Sequence, residues 1–444
     1  MNKTFTYKVP KENCMPKHLF ELFCDLRNYL SGVEAKGIEE EVKQLLLSDT
    51  EIESVIETAF LVSLKKEEGK FPQLRLLIPK KIFNFDRGNR LVTFKKDITF
   101  DAINLTKLSP TTNDLNYALL LGKGESGLLI DCMLAVSDKD NFDITNPMNN
   151  VQPLDGLTIR IDGPGNIRFH YKSYTFELKE GVIEEKSNLK EIPFVSDWYE
   201  HLYQLITPKV KEKYLEGFPS GTNPTDMQIN VHETLPQFIN LVWEYILATT
   251  IKLKKGGAYT ILPAETNPDE YKDAIKIKYP ALDINIVDKI VDYWVACLNA
   301  KNKSDDKVLL LKCIEAKTKL FNQVNALVNL SQADGCVVLD RNLNFIGFGG
   351  FIKAIANEKS KCLKMSPGGF DKDKEVQVFQ QEEVQVLELG GARHQSAYSL
   401  CDQVKDALLF TVSQDGEIKV FTHDKNKGCV CMCKAQGTSL SYEW

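Results

Sequence analysis

The sequence predicts two mixed domains: an α+β N-terminal domain with an antiparallel meander, and an α/β C-terminal domain with a mixed sheet flanked by helices. Three observations lead there. The chain has 444 residues, too many for one ordinary domain. Apolar residues make up 43% and charged residues 26%, a balance that supports buried cores. Along the chain, apolar periodicity switches back and forth between the helical pattern and strict alternation.

The elements follow in order. From Ile52 to Leu64 the apolar positions Val55, Ile56, Ala59 and Phe60 recur at helical spacing, and the helix runs out near Glu67-Glu68-Gly69. Leu74 to Ile78, closed by Pro79, reads as a strand. Leu157–Ile161, Ile167–Tyr171 and Tyr174–Leu178 alternate and are joined by turn signals at Asp162-Gly163-Pro164-Gly165 and Glu180-Gly181, which predicts a meander with one solvated face. The stretch from Pro208 to Pro224, with Gly217-Phe218-Pro219-Ser220-Gly221, predicts a linker. Residues 1–207 then form the first domain, 208–224 the linker and 225–444 the second domain, with a helical insertion at about 264–307. In the second domain a helix through Phe238, Leu241, Val242, Tyr245 and Thr249 ends near Lys254-Lys255-Gly256-Gly257. A buried strand follows at Ala258–Pro263, then helices at about Asp283–Asn299 and Val308–Leu330. Strands at Gly335–Asp340 and Phe345–Phe348 flank a turn at Arg341–Asn344. Lys359 to Lys374 reads as a charged loop, Ser396–Val404 as a helix, and Leu408–Ser413 and Glu417–Phe421 as strands hinged at Asp415-Gly416.

Charge and composition exclude several classes. Lys plus Arg is 55 against 61 Asp plus Glu, a net charge of −6, which argues against a nucleic-acid coat. No run of eighteen apolar residues exists, so no membrane partner is expected. The first residues lack the apolar core of a secretory signal, and 11 scattered cysteines do not form a dense disulfide framework. The expected location is the reducing cytoplasm.

Two segments carry candidate chemistry. In Gly390-Gly391-Ala392-Arg393-His394-Gln395-Ser396, two glycines leave the backbone open, Arg393 offers a forked donor, and a helix N-terminus follows, which favours phosphate. An ordinary turn with solvated side chains would show the same residues. In Ala333-Asp334-Gly335-Cys336 an acidic residue enters a strand beside a glycine, a place for a divalent metal or a plain turn. Cys429, Cys431 and Cys433 alternate on one strand face; zinc binding with His423 is weighed against small apolar thiols in a terminal strand, and the spacing favours the thiols. Phe345-Ile346-Gly347-Phe348-Gly349-Gly350 lacks the Lys-Ser/Thr of a phosphate loop, and His170 on an alternating strand reads as surface or packing.

Taken together, DGCVVLDRNLNFIGFGG (Asp334–Gly350), GGARHQSA (Gly390–Ala397) and KDALLFTVSQDGEIKVF (Lys405–Phe421) resemble the diadenylate cyclase domain family, which carries Asp-Gly-Ala and Arg-His-Arg motifs in this order. Lys255–Ile261 is similar to that family's first helix and strand. The resemblance spans roughly Asp226 to Thr422. SLKKEEGKFPQLRLLI (Ser63–Ile78), TKLSP (Thr106–Pro110) and Leu157–Ile183 are similar to a probable sensor domain of the DACNV type, found beside such cyclase domains in bacteria.

The resemblance implies an enzyme that condenses two ATP into cyclic di-AMP, releasing two pyrophosphates with Mg²⁺ or Mn²⁺, through face-to-face self-association of C-terminal domains. It implies that Asp334 binds the metal and assists the attacking hydroxyl. Arg393 and His394 would hold the triphosphate, with Ala392, Gln395, Ser396 and Ser413 lining the site, and Gly256, Gly257, Gly335 and Cys336 letting backbone approach the nucleotide. The chain departs from the pattern at Gln395 (Arg in the family), Ala392 (Thr) and Cys336 (Ala), and has Gln414-Asp415 where acidic residues are usual. Losing one arginine contact would cost roughly 1.5–3 kcal/mol. Three readings follow: a slow cyclase tuned by a sensor domain, a nucleotide or cyclic-dinucleotide sensor without turnover, or an interaction protein that takes no nucleotide.

Overall fold

A computed structural model describes residues 49–79, 90–112, 117–124, 127–135, 156–171, 174–179, 182–216, 228–263, 271–280, 284–302, 306–353, 360–371, 376–414 and 416–435. Among the described residues there are seven α-helices and two mixed sheets, an α+β chain. It divides into two compact units. Described residues 49–135 and 156–185 belong to the first, and 186–371 and 376–435 to the second.

The first unit contains α1 (Asp49–Leu64), β1 (Leu74–Pro79), β2 (Arg90–Thr99), α2 (Ala102–Leu108), β3 (Tyr117–Gly124), β4 (Gly127–Ala135), β5 (Gly156–Gly163), β6 (Asn166–Tyr171), β7 (Tyr174–Lys179) and β8 (Val182–Lys186). The strand order is β2-β4-β3-β1-β5-β6-β7-β8, with β1 and β3 parallel. Helix α1 places Val55, Ile56, Ala59 and Val62, all 0% exposed, against Leu74, Leu76 and Ile78 of β1. It ends before Glu68 and Gly69, both at positive φ. The β5–β7 meander forms in the expected register, Ile161 opposite Ile167 and Phe169 opposite Phe176.

The expected solvated face is instead closed over its centre: Leu77, Ala118, Leu120, Cys132 and Leu134 form a second buried cluster. The apolar runs Leu76–Ile78 of β1 and Ala118–Leu121 of β3 fit strands buried on both faces. Farther along, Arg168 Nε pairs with Glu177 Oε1 at 2.8 Å and Asp162 Oδ2 at 3.2 Å, and Arg160 pairs with Asp162. The His170 side chain and the Glu180-Gly181 turn lie outside the described residues.

The second unit comprises α3 (Pro193–Glu216), α4 (Gln228–Lys252), β9 (Gly257–Leu262), β10 (Ile275–Pro280), α5 (Ile286–Asn302), α6 (Lys307–Leu330), β11 (Cys336–Asp340), β12 (Phe345–Ile352), β13 (Lys361–Asp371), β14 (Val376–Gln385), α7 (Ala392–Gln403), β15 (Leu408–Val412), β16 (Ile418–Asp424) and β17 (Cys429–Ala435). Its nine strands run β10-β12-β11-β9-β15-β16-β17-β13-β14; β9 with β11 and β13 with β17 are parallel. Strand alternation sends Tyr259, Ile261, Val337, Leu339, Phe410 and Val420 to one face, packed with α3–α6, and Ala258, Cys336, Val338, Leu409 and Phe421 to the other, packed with α7. Trp243 ties the first face together, edge-on to Trp198 (5.0 Å), Phe410 (5.0 Å) and Tyr259 (5.6 Å).

Three expectations are corrected. Pro208 does not open a linker: α3 runs through it, and residues 208–216 are its last turns within the second unit. The missing N–H removes one ladder bond, but Leu202, Ile206, Val210 and Tyr214 on one helical face are at most 2% exposed, and their burial holds the helix together. The rest of the expected linker, 217–224, lies outside the described residues. The insertion at 264–307 is not all helical, since β10 pairs antiparallel with β12. Lys359–Lys374 is not a loop, because β13 and β14 form a long hairpin.

Candidate functional site

The parallel pair β9 and β11 begins at the same end of the sheet where antiparallel β15 finishes: Gly257 pairs with Val412, and Tyr259 with Val337. The loops entering β9 and β11 and the loop leaving β15 therefore converge. Gly256 is left-handed (φ +68°), and a Cβ there would collide with Arg393 Nη1 and sit 2.6 Å from the Val412 carbonyl oxygen. That missing Cβ lets Arg393, on the first turn of α7, donate from Nη1 to Val412 O at 3.1 Å. Gly257 packs where a Cβ would lie 2.8 Å from Ser331 Oγ, three residues before Asp334. Ser413 Oγ accepts from Glu417 N at 2.9 Å and fixes the turn after β15.

Gly335 (φ +104°) lies against β12, where a Cβ would be 2.7 Å from Gly350 O, so backbone packs on backbone. The carboxylate of Asp334 is exposed. Lys278 lies near it; its pKa is raised first by Tyr279 and to a smaller degree by the Asp334 charge. The Cys336 thiol points into the sheet, accepting from Thr260 Oγ1 at 3.2 Å, and burial pushes its pKa up to about 11. A ligand at this end would meet the Cys336 backbone and not its sulfur.

Around the α7 start, Ala392 and Arg393 are exposed and Ser396 is half-buried. Gln395 folds back, Nε2 donating to Gly390 O at 3.1 Å. His394 is buried, its ring stacked on Phe421 at 6.4 Å, and Gly390 (φ +118°) passes so close that a Cβ would be 2.7 Å from His394 Nδ1. The structure thus brings Gly256, Arg393 and the end of β15 into contact, and sets His394 beneath the loop.

One residue behind this loop carries no signal in the sequence. Lys419, 7% exposed, donates from Nζ to Leu389 O at 2.7 Å and pairs with Glu417 Oε2 at 2.8 Å, while Lys434 reaches Glu417 Oε1 at 3.0 Å. Burial alone would raise the Glu417 pKa; the two ammonium groups outweigh it and lower the pKa to about 2. In Ile418-Lys419-Val420 a lysine on the alternate face reads as solvent-facing; only the tertiary fold shows it buried.

Among the described residues no group of three or more His, Cys, Asp or Glu side chains could hold a metal ion. Cys429, Cys431 and Cys433 are free, and burial pushes the Cys431 and Cys433 thiols up to about 12, as fits small apolar thiols packed in a terminal strand.

An α+β chain of two mixed sheets, with glycine-lined loops gathered at one end of the second, is the class that fold and site define. Residues 41–135, which include α1, α2 and β1–β4, match the family model described as probable sensor domain DACNV. The curated proteins contain no match to the chain. Among the described residues no helix is long and apolar enough to cross a membrane.

Proposed function

We propose that the second unit is a nucleotide-binding domain of the diadenylate-cyclase type, cytoplasmic, and joined to the probable sensor domain as its regulator. The carrying observation is the convergence of Gly256, Arg393 and the Val412–Ser413 turn, segments far apart in sequence, at one end of the sheet. Arg393 has a fork for phosphate oxygens, and the first N–H groups of α7 add donors with the helix dipole behind them. His394 holds the Gly390–Gly391 loop from below. Asp334 is one exposed carboxylate, which suits a Mg²⁺ or Mn²⁺ that keeps most of its water and takes its other ligands from nucleotide phosphates. Such an ion would supply charge neutralisation at the α-phosphate. Asp334 also stands ready to accept the proton of an attacking 3'-hydroxyl, with pyrophosphate as leaving group. Two ATP sites must face each other, so the active form is self-associated.

The test is incubation of the full chain with ATP, alone and mixed with GTP, plus Mg²⁺ or Mn²⁺, with products resolved by mass spectrometry. Cyclic di-AMP or a mixed cyclic dinucleotide is expected, and Asp334→Asn should reduce product at least 100-fold with an unchanged circular dichroism spectrum. Full turnover by Asp334→Asn would end the assignment of its role. A second reading rests on Gln395: its amide is spent on Gly390 O where the family has an arginine, which fits a receptor that binds nucleotide without turnover. Nucleotide binding with unchanged ATP would establish that reading.

A further inference from the structure

The far end of the nine-stranded sheet holds a cavity of about 490 Å³ on the face packed with α3. It opens where β9 ends at Leu262, β11 gives way to Arg341 and β15 begins at Leu408, and the hairpin after β16 closes one side. Its volume falls within the roughly 300–1,000 Å³ typical of small-molecule sites. Phe194 and Trp198 of α3 form one apolar wall, and Met365 and Phe379 of the β13–β14 hairpin form another.

The polar groups select a charge. Two lysines on the rim already have counter-ions: Lys425 pairs with Asp406 at 2.7 Å and Lys427 with Asp424 at 3.2 Å. Arg341 is different. Its Nε is buried with no hydrogen-bond partner among the described residues, and only its main-chain oxygen is engaged, by Trp198 Nε1 at 3.0 Å. His423 Nδ1, also at the cavity, is likewise buried without a partner among the described residues. Arg341 is half-buried, and a buried guanidinium N–H left without an acceptor costs free energy unless something supplies the acceptor. Burial and the Lys405 charge lower the His423 pKa, so at neutral pH its ring is an uncharged donor or acceptor. Asp197 of α3 adds an exposed carboxylate to the rim, so the lining is mixed in charge, and Arg341 is the cation there with a buried N–H that lacks an acceptor among the described residues.

We propose that this cavity is a second ligand site, taking a small organic anion, a carboxylate or phosphate on a flat apolar body, with Arg341 as its counter-ion. The anionic group sits on the Arg341 fork with His423 beside it, and the apolar body lies between the aromatic walls. The site is built from residues separate from Asp334 and Arg393, and it stands whether or not the nucleotide assignment does.

Phenyl phosphate, benzoate and neutral benzamide, titrated into the full chain by calorimetry, test it. Phenyl phosphate and benzoate should bind, and Arg341→Met should weaken both at least tenfold while Arg341→Lys recovers part of the loss. Benzamide should bind more weakly and ignore Arg341→Met. Phe379→Ala should weaken all three. Met keeps the aliphatic length and leaves the main-chain oxygen that Trp198 uses, so the fold should survive; circular dichroism checks it. Absence of binding by both anions, or equal binding by Arg341→Met, would each overturn the proposal. Inorganic phosphate binding as tightly as phenyl phosphate would remove the apolar walls from it and overturn the ligand class.

Discussion

Where β9 and β11 begin, the chain packs backbone against backbone; where they finish, side chains stand apart around a cavity. Gly256, Gly335 and Gly390 all adopt left-handed φ at the first end, and a Cβ on any of them would lie within 2.7 Å of another atom. At the second end half-buried side chains such as Phe379 and Arg341 face open space, while Trp198 belongs to the core as well. The difference teaches where sequence change is tolerated. The glycine end joins stability to function in the same atoms, while the cavity end separates them.

Gly335→Ala breaks the comparison hardest. The nearest atoms to its Cβ are backbone atoms of Gly349 and Gly350, which cannot swing aside, and φ +104° strains any L side chain. Strain and overpacking together should cost about 3 kcal/mol. Thermal unfolding should show the loss, and nucleotide binding should fall with it. By contrast, Phe379→Ala at the cavity should leave the glycine end intact. A stable Gly335→Ala protein with normal nucleotide binding would mean that β12 yields, and the rigid end is not rigid.

Lys419→Met comes next. It keeps the stem but removes the ammonium that holds Leu389 O and pairs with Glu417. Lys434 still faces Glu417, so the loss should be about 2 kcal/mol, below that of an abandoned buried charge. The pH dependence sharpens it. The folded Glu417 pKa of about 2 lies below its ordinary value of 4.5, so its contribution is fully present above about 4.5 and is lost as pH falls toward about 2. With Lys419 gone, that contribution shrinks, and the stability gap between wild type and variant should narrow between pH 5 and pH 2.5. Urea midpoints at three pH values measure the gap; a constant gap would mean that Glu417 is not what Lys419 stabilises.

The same contrast explains what was legible in the sequence. Elements with a buried stripe, such as α1, β9, α6 and β15, announce themselves because burial fixes their periodicity. β10 and β14 are the two edges of the nine-stranded sheet, where charge is common. Ile275-Lys276-Ile277-Lys278-Tyr279 does alternate, but it is short, and the lysine- and glycine-rich run from Lys359 to Lys374 hides the hairpin that ends in the other edge. Pro208 misled because a breaker is local while the burial that overrides it is tertiary. At the glycine end Asp334 and Arg393 stand out as a lone acid and a forked donor beside glycines, while Gly256 reads only as a helix stop until the family resemblance singles it out. Lys419 and Arg341 could not, because a buried lysine and a turn arginine gain their meaning from partners far along the chain.

The smallest effect is the most discriminating. Gly391 is the N-cap of α7, with φ −66° and ψ 177°, nothing within 4 Å of its Cβ position and no side-chain cap. Its neighbour Gly390 has the opposite character, left-handed and pressed on His394. Gly391→Ser should therefore fit without strain, and its hydroxyl oxygen can accept from an N–H of the first turn. The expected gain is about 0.5 kcal/mol, from the cap and from a less flexible unfolded chain. The capped N–H groups are those the nucleotide proposal assigns to phosphate, so the same substitution should weaken nucleotide binding a few-fold while raising the melting temperature. A stabilised protein with unchanged affinity would remove the α7 N-terminus from the binding site and leave Arg393 to hold phosphate alone. A destabilised one would show that Gly391, like Gly390, belongs to the backbone-packed end, and the boundary between crowded and open would move by one residue.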